Sequence, residues 1–215
     1  MSTATKAMTV AVIGNPNSGK TTLFNALTGS TQRVGNWPGV TVEKKTGSFT
    51  HNGNAIIVVD LPGIYALSAS SEDERIALQY ILSGDMDLIL NIVDGTNLER
   101  NLFLTLQLIE MNVPMIVAVN MLDIAENRKI SIDLAELSKK LGCPVYGITA
   151  TNKSDAENIK KNIVIQMDKK PVSEAQVAYP LDIMQWVDAH ATKFEKTATQ
   201  YKVDKRWVAL QVLEK

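Results

Sequence analysis

The sequence has a single cysteine, Cys143, among 215 residues. That excludes an internal disulfide and a multi-cysteine metal site, and a lone thiol suits a reducing compartment. Net charge is nearly absent too: 22 Lys and Arg stand against 23 Asp and Glu, a balance of -1. No basic field exists to gather nucleic acid or an anionic membrane surface. No apolar run approaches the roughly 18–20 residues that a membrane span needs. Residues 1–7 are small and polar, and the apolar stretch Met8–Ile13 runs straight into a glycine loop, so no signal peptide is expected. Internal repeats and low-complexity segments are missing as well. What remains is ordinary: 45% hydrophobic and 21% charged residues, enough for one medium, soluble domain and a small appendage.

Short apolar runs alternate with helical patterns. Thr9–Ile13, Asp87–Val93 and Val113–Val119 are continuous apolar runs, as expected for strands covered on both faces, and Pro144–Ile148 is a weaker one. Thr41–Thr50 alternates and meets Ala55–Asp60 across Asn52-Gly53, a dipeptide suited to a hairpin turn with positive φ at both central positions. Helices are predicted from Lys20 to about Thr28 and from a Ser71/Glu74 capping box to about Leu82. Two more are predicted, from Asn97 to Glu110 with Leu98, Leu102, Leu106 and Ile109 on one face, and from Ile132 to Leu141 before Gly142. Such alternation implies a mostly parallel sheet between helices, with one antiparallel edge from the hairpin. From Lys169 the composition becomes linker-like. Two helical stretches follow, one carrying Trp186, His190 and Phe194 at spacing four, the other running from Lys205 to Lys215. The chain stops inside that last pattern without a helix stop signal, as a longer helical unit cut short would.

Gly14-Asn15-Pro16-Asn17-Ser18-Gly19-Lys20-Thr21 matches G-x-x-x-x-G-K-T between a strand and a helix, the context a phosphate loop requires. Its backbone N–H groups and the helix N-terminus favour phosphate, Lys20 reaches the outer phosphates, and the Thr21 hydroxyl suits magnesium. Thr22 completes the phosphate-binding set. The plain alternative is a chance glycine turn opening a helix. Asp60-Leu61-Pro62-Gly63 ends the strand after the hairpin; its carboxylate suits the same metal and the Gly63 N–H a terminal phosphate. Between them, Gly35-Asn36-Trp37-Pro38-Gly39-Val40-Thr41 has no helical period and reads as a mobile switch loop that brings Thr41 to the metal. Its rival is a surface loop with Trp37 filling a groove.

Asn120-Met121-Leu122-Asp123 follows an apolar strand. An aspartate there accepts two hydrogen bonds from guanine, N1–H and the amine; adenine would leave the charge unpaired. Asn120 ties the base loop to the phosphate loop, and Thr149-Ala150-Thr151 supplies the Ala150 N–H to guanine O6. Met121 stands where many related proteins carry lysine. A helix N-cap is the bland alternative for Asn120 and Asp123.

These four motifs, in order, resemble the small GTPase superfamily. Gly14–Asn25, Arg33–Glu43 and Asn97–Leu102 resemble more closely the FeoB family, bacterial ferrous iron transporters with a cytoplasmic N-terminal GTPase domain. The resemblance covers residues 8 to about 150. It implies that Asn17, with the carbonyls of Gly35 and Trp37, holds an activating potassium ion that supplies the charge of an arginine finger. Catalysis would then rest on Asn17, Lys20 and Thr41. Ile64 stands where many GTPases place a water-orienting glutamine, which fits a slow enzyme. A role for Glu72 near the second switch is held open. The last motif departs from the family: Asn152-Lys153-Ser154-Asp155 replaces the usual glycines, which implies a stiffer loop over the base. The helical tail resembles that family's spacer domain, shortened.

The expected fold is therefore an α/β, Ras-like P-loop domain over residues 1–168. It has a mostly parallel six-stranded sheet, order 2-3-1-4-5-6, with helices on both faces. A linker and a partial all-helical appendage occupy 169–215. The expected ligands are GTP or GDP with Mg2+ and K+. Expected partners are a C-terminal membrane permease domain, at the cytoplasmic face of the bacterial inner membrane, and no nucleic acid; a homo-oligomer is left open. Rival readings are a nucleotide-sensing switch with negligible turnover, an ATP-using P-loop enzyme, which Asp123 opposes, and a GTPase of ribosome or tRNA work, which the missing basic patch opposes. With His51 and His190 far apart and one cysteine, no iron site is visible; His51 reads as a turn residue and His190 as helix packing.

Overall fold

A computed structural model describes residues 7–213. The polar start at 1–6 and the end of the last predicted helix, at 214–215, lie outside them. The elements run β1 (Met8–Gly14), α1 (Lys20–Thr28), β2 (Gln32–Asn36), β3 (Glu43–His51), β4 (Asn54–Asp60), α2 (Glu72–Ser83) and β5 (Leu88–Asp94). They continue with α3 (Leu98–Glu110), β6 (Met115–Asn120), α4 (Leu122–Asn127), α5 (Leu134–Leu141), β7 (Val145–Gly147), α6 (Lys153–Lys169), α7 (Leu181–His190), α8 (Glu195–Tyr201) and α9 (Lys205–Leu213).

The sheet order is β2-β3-β4-β1-β5-β6-β7. The pairs β1–β4, β1–β5, β5–β6 and β6–β7 are parallel, and β2–β3 and β3–β4 antiparallel. The apolar runs are continuous because each central strand feeds alternate residues to two layers. Ala11, Ile13, Ile89, Val93, Val117 and Val119 join the core under α2 and α3, whereas Val10, Val12, Leu90, Ile92, Ile116 and Ala118 join the one under α1 and α6. The Asn52-Gly53 turn has φ of 49° and 80°, the positive pair the hairpin requires. Ser71 caps α2, accepting from the Glu74 N–H at 3.2 Å. The return half of the capping box is absent: the Glu74 carboxylate accepts instead from Ser70 N–H and the Ser68 hydroxyl.

Three features depart from the sequence pattern. The pattern predicts six strands and a loop over 35–41, but residues 32–36 form a seventh strand, β2, antiparallel to β3 with Gly35 opposite Lys44. That pairing is long-range and leaves no local hydrophobic period. The predicted leucine stripe of α3 is rotated: Leu104, Leu108 and Ile109 are buried with Asn101 and Thr105, while Leu106 is 36% exposed. Polar residues occupy the inner face because β5 offers partners. Asn91 donates to the Thr105 hydroxyl at 2.6 Å, and the Asp94 N–H to Asn101 at 3.2 Å. Third, Lys153–Lys169 is a 17-residue helix that the pattern does not announce.

The helical tail does not stand alone. Trp207 of α9 joins the main core, the Asp204 N–H donates to the Met111 carbonyl at 3.0 Å, and the Tyr179 hydroxyl bonds Glu110. Its own cluster is small, Val187, Ala191 and Ala209. His190 stacks on Trp186 at 4.3 Å, the packing role its spacing implies. No helix among the described residues is long and apolar enough to cross a membrane.

Candidate functional site

The loop between β1 and α1 is shaped by positive φ at Asn17 (66°) and Gly19 (88°). Such a sequence of backbone turns points N–H groups into one concavity at the start of α1. Gly19 is required on two counts, since a Cβ there would lie 2.0 Å from the Asn120 amide nitrogen. A Cβ on Gly14 would meet the Ile92 carbonyl at 2.4 Å. Asn15 and Ser18 are buried, Pro16 is half-buried, and Asn17, Thr21 and Thr22 are exposed on the open side.

Lys20 and Asp60 are both buried and form an ion pair with each other. Burial raises the Asp60 carboxyl above its ordinary value, and the Lys20 charge opposes that rise. Asp60 ends β4 beside β1, so the strand pairing itself sets it next to the phosphate loop. Leu61 N–H donates to Val12 carbonyl at 3.0 Å and Ile64 N–H to Gly14 carbonyl at 3.2 Å, which lays residues 61–64 along the loop. Gly63 lies against Pro16: an added Cβ would be in ordinary contact with it, at 3.4 Å. Ile64 is 2% exposed and packs in the core, so its side chain faces away from any water over the phosphates.

The switch segment is anchored rather than free. Gly35 lies in β2; the Trp37 N–H donates to Val42 carbonyl at 2.9 Å, and the Trp37 carbonyl accepts from the Val40 N–H at 3.3 Å. The Trp37 side chain is 6% exposed. Gly39 turns the chain at φ 78°, Val40 is half-buried, and Thr41 is exposed. The structure thus gives the groove-filling role to the Trp37 ring. Of the groups assigned to potassium, Asn17 is exposed, Gly35 lies in β2, and the Trp37 carbonyl accepts the Val40 N–H.

On the base side, one side chain joins three segments. Asn120, 3% exposed, donates to the Ser18 carbonyl at 2.9 Å and accepts from the Ala150 N–H at 2.9 Å. Met121 follows at φ 61° and Asp123 lies exposed in the first turn of α4. The sequence assigns the Ala150 N–H to guanine O6; in the structure that donor is committed to Asn120, so a base carbonyl has to share it. Thr149 and Thr151 flank it.

The family model described as Ferrous iron transport protein B matches residues 8–163. The chain belongs to the FeoB family. It is 50% identical over 213 residues to the Fe(2+) transporter FeoB of Escherichia coli strain K12, across 97% of this chain and 27% of that protein. The Salmonella typhimurium strain LT2 transporter gives the same identity and coverage. The chain therefore spans about a quarter of the length of these FeoB relatives. The cytosolic domain of L. pneumophila FeoB superposes with a TM-score of 0.86 at 38% identity, covering 95% of this chain and 87% of that one. The GMPPNP form of the T. maritima FeoB cytosolic domain gives 0.87 at 38%, covering 95% and 80%. A GDP-bound variant of the S. thermophilus FeoB G-domain gives 0.85 at 39%, covering 96% and 78%.

Within this FeoB-family fold, sequence reasoning missed one site residue. Asp155 accepts from the Thr149 N–H at 2.8 Å, and Asn152 caps α6 by accepting from the Ser154 N–H at 2.8 Å. Residues 152–155 pin the base-side loop to a helix. Asn152 with an acidic residue three positions on, Asp155, is a capping signal that the sequence contains. Among the described residues no group of three or more His, Cys, Asp or Glu is placed to hold a metal ion.

Proposed function

We propose that this chain is the regulatory G domain of a ferrous iron transporter and that it binds GTP and hydrolyses it, with water, to GDP and phosphate. The observation that carries this reading is the Asn120 bridge, which holds the phosphate loop and the base-side loop at one end of the sheet, three residues before Asp123. Asp123 accepts the guanine N1–H and amine protons. The N–H groups of residues 14–21 cradle the phosphates, Lys20 supplies fixed positive charge, and the Gly63 N–H meets the terminal phosphate. These groups act by positioning and electrostatic stabilisation of a spread phosphoryl charge.

Magnesium fits the hard oxygen donors Thr21 hydroxyl and Asp60 carboxylate, joined by Thr41 when the switch closes. A buried carboxylate raised by desolvation is a group that gains from a second cation. Bound there, the metal neutralises phosphate charge. The Lys20–Asp60 pair has to open so that each reaches its own partner. Potassium fits the oxygens of Asn17, Gly35 and Trp37 once residues 35–37 leave their present bonds. The domain division at 168/169, the slow rate and the signal from residues 33–41 to a membrane permease domain belong to the same proposal, as does residence at the cytoplasmic face of the bacterial inner membrane.

The test is phosphate release from GTP in potassium and in sodium, with the unaltered chain and Asn17→Ala. Stimulation by potassium that disappears in Asn17→Ala, with nucleotide binding retained, is expected. Equal rates in both salts would refute the potassium role. A second reading, a nucleotide-sensing switch with negligible turnover, draws on the core-facing Ile64; absence of release in either salt would select it.

A further inference from the structure

The indole of Trp37 sits in a three-part clasp built from elements outside the phosphate site. Its ring stands edge-on to Tyr80 of α2, with centroids 5.4 Å apart and planes at 70°. The Lys44 ammonium, from β3, lies 4.6 Å from the Trp37 centroid and 5.7 Å from that of Tyr80. The indole is buried although its Nε1–H has no acceptor among the described residues, so burial is held by ring contacts and not by a hydrogen bond. The Tyr80 hydroxyl is likewise pushed up to about 12 by burial. Residues 37–42 form a closed turn, Trp37 N–H to Val42 and Val40 N–H to Trp37, with the indole as its root and exposed Thr41 at its rim.

This arrangement has a consequence for nucleotide choice. Thr41 and the Trp37 carbonyl lie on the turn that the indole anchors. Bringing both to a terminal phosphate and its cations breaks the Val40–Trp37 bond and works against the clasp. GDP makes no such demand. We propose that Tyr80 and Lys44 are positioning residues that set the preference of this site for GDP over GTP, by holding Trp37 and so restraining closure of residues 35–41. The inference rests on the guanine-nucleotide reading. It assigns to Tyr80 of α2 and Lys44 of β3 a role that acts through Trp37. Cation–π and edge-to-face contacts of this kind are worth enough to shift a two-state equilibrium severalfold.

The experiment is competitive binding of GDP and a non-hydrolysable GTP analogue, both with magnesium and potassium. It uses the unaltered chain, Tyr80→Leu, Lys44→Met and Tyr80→Phe. Tyr80→Leu keeps an apolar side chain but removes the ring, and is expected to raise analogue affinity relative to GDP about fivefold. Lys44→Met keeps the stem and removes the charge, for about threefold. Tyr80→Phe keeps the ring and is expected to leave the ratio unchanged; a rise as large as that of Tyr80→Leu would place the effect in the hydroxyl and overturn the role of the ring. Melting temperature reports folding of each variant, and Lys44→Met keeps the test open if Tyr80→Leu does not fold. A ratio that stays put or falls in both Tyr80→Leu and Lys44→Met overturns the proposal. Failure of the unaltered chain to bind either nucleotide overturns the guanine reading itself, a different result from an unmoved ratio.

Discussion

Asn120→Ala removes the side chain that joins the phosphate loop to the base-side loop. Its amide satisfies two buried backbone groups, the Ser18 carbonyl and the Ala150 N–H, each at 2.9 Å. An unpaired buried polar group costs about 1–3 kcal/mol, so two cost about 2–6. Water reaching one of them through the shortened side chain brings the loss to about 3 kcal/mol. For a chain of this length that is a fall of about 6–12 °C in melting temperature, measured by circular dichroism. Guanine nucleotide affinity should drop more than about tenfold, because loop positions worth over ~1.4 kcal/mol are lost. The geometry supplies an internal control. Gly19→Ala places a Cβ 2.0 Å from the Asn120 amide nitrogen at φ 88°. Both changes relieve each other in part, so the double variant should be less destabilised than the sum by about 1 kcal/mol or more. A melting temperature within about 2 °C of the unaltered protein, with strictly additive Gly19→Ala, would refute the bridge as the element that joins the loops.

Three further outcomes follow from particular groups. Asp123→Asn should abolish most of the preference for guanine over adenine nucleotides in a competition assay, and an unchanged preference would remove Asp123 from the base site. Burial pushes the Cys143 thiol up from 9.0 to about 11. Its thiolate fraction near neutral pH falls about 100-fold, so alkylation of the native chain should be at least that much slower than in denaturant. Tyr80 is raised from 10.0 to about 12, first by burial and then by Asp85 and Asp87. A raised acid contributes stability that is complete below pH 10 and is lost as pH climbs to about 12. Urea titrations across that window should show a steeper loss for the unaltered chain than for Tyr80→Phe.

Local chemistry made much of this protein legible from residues alone. The phosphate loop, the Asn52-Gly53 hairpin and the buried strands are short-range signals: glycines where φ is positive, apolar runs where both faces are covered. They place Gly14–Thr21, Asp60–Gly63 and Asn120–Asp123 in chain order, and that order carried the resemblance to the FeoB family. Three matters lay beyond such signals because they depend on partners distant in sequence. Residues 32–36 become a strand only by pairing with β3. The inner face of α3 carries Asn101 and Thr105 among its apolar residues because Asn91 and Asp94 meet them across the interface. Trp37 is a core residue only because Tyr80 and Lys44 meet it from two other elements. Residue types and spacing nominated the groups proposed to hold phosphate and read a base. Packing alone decided which of them are already engaged: Ala150 by Asn120 and Asp60 by Lys20. A hydrogen bond across 30 or 40 residues follows from where strands and helices meet, and no window of the sequence contains both of its ends.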